Sequence, residues 1–337
     1  MAITNLQETY DIGPTGGAMR EDLSDIIYNI SPTETPFLMM IGRGTAKSTL
    51  HEWQVDELAT VDVANNNEEG EDVTTSFPVV EQSSRVQNRT QISLKTVVIS
   101  GTAETVDKAG RKSELAYQLA KRAKELKRDM EAILIAGRAN DGAVPQIFSA
   151  GTADGATNRL LTPYETWMTD DDNQPKNYAS DATEPTTSDG FEPTASPAHG
   201  TQRPFAEADL KDVIKQAWTQ GGDPTVVMVG PFNKQAASAF SGNTTRFDRS
   251  EDMRLVTAVD IYVSDFGECR IVPNRFSRER SALIITPNMW SVDYLRGFRQ
   301  FPLAKTGDSE KRELLVEYTL RASNPHASGI VADLTVA

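Results

Sequence analysis

Few residues in this chain are spaced for chemistry, and those that come near fail on context. Gly42-Arg43-Gly44-Thr45-Ala46-Lys47 has the glycines and lysine of a phosphate-binding loop, but the wrong interval and no strand-loop-helix frame around it. The three histidines, His51, His199 and His326, lack metal-ligand spacing. Asp170-Asp171-Asp172 would hold a divalent cation only if further oxygens converged on it, so a solvated acidic loop is its default reading. No Gly-x-Ser-x-Gly nucleophile elbow occurs. The single cysteine, Cys269, excludes an intrachain disulfide framework and a cysteine-based zinc site, and its apolar strand context predicts a buried small hydrophobe. Asn88-Arg89-Thr90 and Asn243-Thr244-Thr245 match the glycosylation sequon, which has meaning only in a secreted chain. The expectation is a protein with no catalytic residues, no cofactor and no metal, and not an enzyme.

What remains is charge. The acidic run Glu68, Glu69, Glu71 and Asp72 has a counterpart in isolated basic clusters at Arg275, Arg278 and Arg280, and at Arg296 and Arg299. These suit pairing between copies of the chain, each exposed pair contributing roughly 0–1 kcal/mol. A formal net charge of −14 opposes a phosphate-tracking function, which depends on clustered Lys and Arg. The segment beginning at Met1 lacks the basic and apolar blocks of a signal peptide, and no run approaches a membrane span, so the chain is placed in the cytosol of the cell that makes it.

The elements that position these charges follow from periodicity. His51, Trp53 and Val55 alternate with Glu52, Gln54 and Asp56, and Val86, Thr90, Ile92, Leu94, Thr96 and Val98 share one face of a returning arm. Together they predict a long β-hairpin whose tip, residues 65–72, has nothing apolar to pack. Two-stranded ribbons are marginal alone, so this one needs another surface, its own domain or a neighbour. A long amphipathic helix follows, from the Ser113 cap to about Ala139, with Leu115, Leu119, Ala123, Leu126, Met130 and Ile133 as its apolar stripe and a charge-laced opposite face. Residues 150–204, rich in Thr, Asp, Pro, Ser and Gly, read as an insertion or surface loop. From Ala206 onward, a helix with Leu210, Val213, Ile214, Ala217 and Trp218 on one face precedes a short buried strand, Val226-Val227-Met228-Val229, and a second helix from Pro231. Short strands then run to a last one near Glu313–Arg321, an α+β pattern.

This order of parts resembles the major capsid proteins of tailed bacteriophages with the Hong Kong 97-type fold. Several stretches look like one family of such head proteins: Arg20-Glu21-Asp22-Leu23-Ser24-Asp25, Ser31-Pro32-Thr33-Glu34-Thr35-Pro36-Phe37, Glu52-Trp53-Gln54-Val55-Asp56, Val263-Ser264-Asp265-Phe266-Gly267, and Leu303-Ala304-Lys305-Thr306-Gly307-Asp308-Ser309-Glu310-Lys311. The resemblance implies an N-terminal arm (1–44), an E-loop hairpin (45–98), a P-domain with a spine helix (99–145 and 301–337) and an A-domain (146–300). It implies hexamers and pentamers of an icosahedral or prolate head around double-stranded DNA, contacted weakly and non-specifically. A separate scaffolding protein, a portal and a decoration protein are the implied partners, with assembly in the host bacterial cytoplasm and no membrane. Trp53, Glu68, Glu69, Glu71, Asp72, Arg275, Arg278 and Arg280 are the expected inter-subunit contacts. Another virion component, a nanocompartment shell of the same fold, and an α+β enzyme are the competing readings.

Overall fold

The computed structural model describes residues 33–56, 58, 61–63, 66, 69, 83–106, 112–137, 145, 147, 158–187, 190–240 and 261–336. The long helix forms as its caps dictate. It spans Glu114–Ala136 and is the third helix among the described residues (α3), after α1 (Pro36–Met40) and α2 (Gly101–Thr105). Ser113 Oγ accepts the Ala116 N–H at 3.2 Å, and the Glu104 carboxylate accepts those of Glu114 and Leu115 at 3.0 and 3.3 Å. Gly137, at φ 65°, ends it in a conformation that side chains disfavour. Burial is uneven along its length: Leu126, Met130, Leu134 and Ile135 are buried, whereas Leu115, Leu119 and Ala123 are covered only in part.

Two large sheets carry most of the remaining described strands, beside a two-stranded hairpin. The first holds four strands in the order β1 (Gly42–Thr45), β10 (Trp290–Pro302), β11 (Ser309–Ala322) and β4 (Gln91–Ser100). Val316, Tyr318 and Leu320 of β11 share the core with Leu126, Met130 and Leu134 of α3. Gly42–Thr45 is therefore a strand, paired parallel to Ser291–Tyr294, and not a phosphate loop. A Cβ at Gly44 would run into the Asp293 carboxylate, which is the reason for glycine there. The expected domain boundary at 300 falls inside β10, a single strand of this sheet.

The second sheet has six strands, in the order β5 (Lys176–Asn177), β12 (Gly329–Val331), β9 (Ala282–Ile285), β6 (Val226–Val229), β8 (Gly267–Pro273) and β7 (Ile261–Ser264). Val227, Val229 and Ile284 pack on one face with α4 (Glu207–Thr219) and α5 (Pro231–Ser238), while Met228, Leu283 and Ile285 join the core that contains α3. Cys269 is buried in β8, as its apolar setting predicts. The strand expected to be last is followed by β12, which returns residues 329–331 to this second sheet.

Two sequence expectations are overturned here. Of the 150–204 segment, 150–157, 188 and 189 lie outside the described residues, and the described remainder is not an excursion over the surface: Leu161 and Tyr164–Met168 are buried, and Tyr164 Oη lies between the carbonyls of Ile284 and Gly329, at 2.8 and 3.1 Å. The polar composition misleads because its carboxylates serve the local backbone, as Asp181 does for the Thr201 N–H at 2.8 Å and Asp170 for that of Thr187 at 2.9 Å. Trp218 is the other: it is 55% exposed, stacked near Phe266, and does not join Leu210, Val213, Ile214 and Ala217 in the core.

Candidate inter-subunit surface

The hairpin forms, and its root is bolted to the four-stranded sheet. Strands β2 (Leu50–Val55) and β3 (Ser84–Arg89) pair antiparallel, with Trp53 opposite Val86. Beyond Arg89 the returning arm changes partner. Residues from Gln91 leave the hairpin and pair with β11 as β4, so the arm expected to be continuous is two strands in two sheets.

The bolts are polar and mostly shielded from water. His51 Nε2 donates to Asp293 Oδ2 at 2.8 Å. Trp53 Nε1 donates to the Ala322 carbonyl at 2.9 Å, and its ring lies 5.8 Å from that of Trp167. The buried Asn88 side chain donates to the carbonyls of Thr162 and Leu320, at 3.2 and 2.7 Å, and accepts the Thr162 N–H at 2.9 Å. Glu317, almost wholly buried, receives Thr90 Oγ1, Arg159 Nη2 and Arg296 Nε, which ties the hairpin exit to β10 and to the 158–162 segment. Groups so thoroughly paired hold the root rigid, because leaving any one buried and unpaired costs about 1–3 kcal/mol.

Past the root the surface changes character. Leu58, Val61 and Val63 are 97, 90 and 96% exposed, an apolar set just ahead of the acidic tip. On the sheet, alternate residues of β4 divide cleanly. Val97 and Ile99 are buried, and Lys95 reaches Asp129 of α3 at 2.6 Å, whereas Ile92, Leu94 and Val98 are exposed on the opposite face. Phe298, Phe301 and Leu303, at the far end of β10 and just beyond it, are also exposed. So many large apolar side chains facing water on two strands of one sheet exceed the scattered singles of an ordinary surface.

The expected contact residues separate accordingly. Trp53 works inside its own subunit. Arg278, only 7% exposed, pairs with Glu165 at 2.6 Å and donates to His199 Nε2 at 3.0 Å; Arg280 binds Asp333 at 3.0 Å and the Gly200 carbonyl at 2.8 Å. Neither arginine is a free cation for a neighbour, because the folded 158–205 segment, read as an insertion, brings carboxylate and carbonyl partners to them. Glu69 and Arg275 are exposed; Glu68, Glu71 and Asp72 lie outside the described residues. Sequence reasoning missed Leu58, Val61 and Val63, whose spacing falls outside the alternation of the arms. It placed Ile92, Leu94 and Val98 on one face and left open what covers that face, since alternation alone cannot say which side of a strand meets solvent. Among the described residues no group of histidine, cysteine or carboxylate side chains has the geometry to hold a metal ion.

Residues 2–335 match the family model described as SU10 major capsid protein. The chain belongs to that family. As a phage major capsid protein it is a subunit of the capsid shell, and its relatives agree. It is 29% identical to a major capsid protein of Escherichia phage Phieco32, the match covering 90% of each chain. Its fold is that of phage capsid proteins of the Hong Kong 97 type. A chain of the capsid of native GTA particle computed with C5 symmetry aligns with TM-score 0.64 at 10% identity, covering 98% of this chain and 100% of that one. The chain from the Cyanophage A-1(L) capsid asymmetric unit aligns with TM-score 0.62 at 12% identity, covering 94% and 98%.

Proposed function

We propose that this capsid subunit assembles into hexamers and pentamers of a closed head around double-stranded DNA, each hairpin lying across a neighbouring copy. The observation that carries this is the pair of uncovered apolar surfaces, Leu58, Val61 and Val63 on the hairpin and Ile92, Leu94, Val98, Phe298 and Phe301 on the sheet. Neither is covered by other described residues of its own subunit, and each suits the other in kind. The N-terminal arm keeps the extent 1–44, and the hairpin is best drawn to end at Arg89, since Gln91–Ser100 pairs with β11. The P-domain sheet is best drawn to include 290–302, and the A-domain to include 325–336, following strand membership. Exposed Ile261 and Val263 on the edge strand β7, with Trp218, suit contact between A-domains of adjacent copies.

Electrostatics then sets register more than affinity. Glu69 and Arg275 are exposed and available, and Glu68, Glu71 and Asp72 extend the acidic run. Lys121, Lys124 and Lys127 on the exposed side of α3 offer the weak, non-specific contact with DNA that a chain of net charge −14 permits. A scaffolding protein, a portal and a decoration protein are the remaining partners, with assembly in the host bacterial cytoplasm. The test is assembly of variants Leu94→Asp and Val98→Asp, followed by negative-stain microscopy and size-exclusion chromatography. Normal circular dichroism with loss of capsomers and shells is expected. Shells of normal number and shape from the double variant overturn the sheet-face contact.

A further inference from the structure

Glu131 is a buried carboxylate in the last turns of α3 with no ion-pair partner among the described residues. Its Oε1 accepts the Phe37 N–H at 2.7 Å and its Oε2 accepts the Leu38 N–H at 2.8 Å, so it closes the open N-terminal turn of α1. Asn274, at the end of β8, donates its Nδ2–H to Oε1 at 2.7 Å. Three elements far apart in sequence thus meet on one charge. The ionisable groups around it are engaged elsewhere or exposed. Helix α1 has none, and Glu34 ahead of it is exposed. On α3, Arg128 lies over the Phe276 ring at 5.3 Å, Asp129 binds Lys95 and Lys127 is exposed. Near Asn274, Arg275 is exposed and Arg278 holds Glu165; Tyr164, whose ring meets Phe37 edge-on, has its hydroxyl on backbone carbonyls.

We propose that Glu131 is a proton-operated latch that fastens the segment around Pro36–Met40 to the long helix and to the Asn274 loop. All three of its partners are N–H donors. An ionised carboxylate satisfies them together, whereas a protonated one turns one oxygen into a donor facing a donor, because Asn274 Oδ1 is already taken by the Phe276 N–H. Burial raises the proton affinity of Glu131 above the ordinary glutamate range, against the lowering effect of the three hydrogen bonds. The sign for the whole fold is therefore opposite to that for the latch. A raised folded value means protonation costs the folded state less than the unfolded one, so acid does not unfold the subunit through this group. Acid instead releases the Phe37 and Leu38 amides locally while the core stays closed.

Hydrogen exchange of the full chain, normalised for intrinsic rates and followed from about pH 7.5 to about pH 4.5, tests this. Protection of the Phe37 and Leu38 amides is expected to fall about tenfold or more on acidification, the scale of a hydrogen bond to a charged group, with Leu134 and Ile135 unchanged. Asn274→Ala removes a donor that favours the charged form, so release begins at higher pH. Glu131→Gln, with a single acceptor oxygen, is released at every pH. Protection that stays level through the range, or falls equally in the core, overturns the latch, and wild-type chain alone decides this if either variant fails to fold.

Discussion

Asp293 holds two strands and a hairpin with one side chain. It accepts from His51 on Oδ2 and from Ser291 Oγ on Oδ1 at 2.7 Å, with the Arg321 guanidinium 3.7 Å away. Burial pushes its pKa up, yet the hydrogen bonds from His51 and Ser291 and the charge of Arg321 prevail and hold it below the ordinary aspartate range. A depressed folded value contributes stability above the unfolded pKa, and that contribution is lost as pH falls through the folded one. Asp293→Asn is accordingly expected to cost about 1–2 kcal/mol at neutral pH, and urea midpoints of variant and parent should converge below about pH 4. A constant gap down to pH 3 would remove the charge from this account. None of this was legible in the sequence, because His51 on β2 and Asp293 on β10 are 242 residues apart and meet only through the tertiary fold. The same holds for Arg278, whose partner Glu165 sits in a segment that composition assigned to the surface.

At the scale of elements, legibility follows the strength of local pattern. Ser113, the 3.6-residue stripe and Gly137 placed α3 to within a few residues, and the alternation around Trp53 and Val86 placed the hairpin root. The change of partner at Thr90 was invisible, since β3 and β4 share one alternating pattern and only the third dimension separates them. The 158–205 segment failed for a different reason: a few anchors, Tyr164, Trp167, Met168 and Phe191, decide its burial against a polar background. Deleting 170–200 is therefore expected to prevent folding, because it removes β5, the Gln174 amide bonded to the carbonyls of Pro325 and Ser328, and Tyr178. Soluble protein with cooperative thermal unfolding from that deletion would return the segment to the surface.

Among the described residues a well-bonded frame leaves large apolar side chains on its outer faces, and this is why the hairpin looked under-buried in the sequence. Order within the molecule and incompleteness at its faces are two sides of one arrangement, in which the remaining stabilisation comes from assembly. The path of the backbone adds a consequence of its own. Strand β12 inserts between β5 and β9, pairing Ile330 with Lys176, and β1 pairs Gly42 with Ser291. Both sheets thus close only across most of the chain, and long-range pairing of this kind slows folding. Refolding from urea is expected to take seconds or longer, against the sub-millisecond folding of local-contact helical domains, with the β12 region among the last to gain exchange protection. While a ribosome is still short of residue 329, the second sheet lacks a middle strand. A nascent chain at that stage has its four-stranded sheet and hairpin complete in sequence, while β5 still lacks the strand that joins it to β9, so the two sheets are finished in a fixed order.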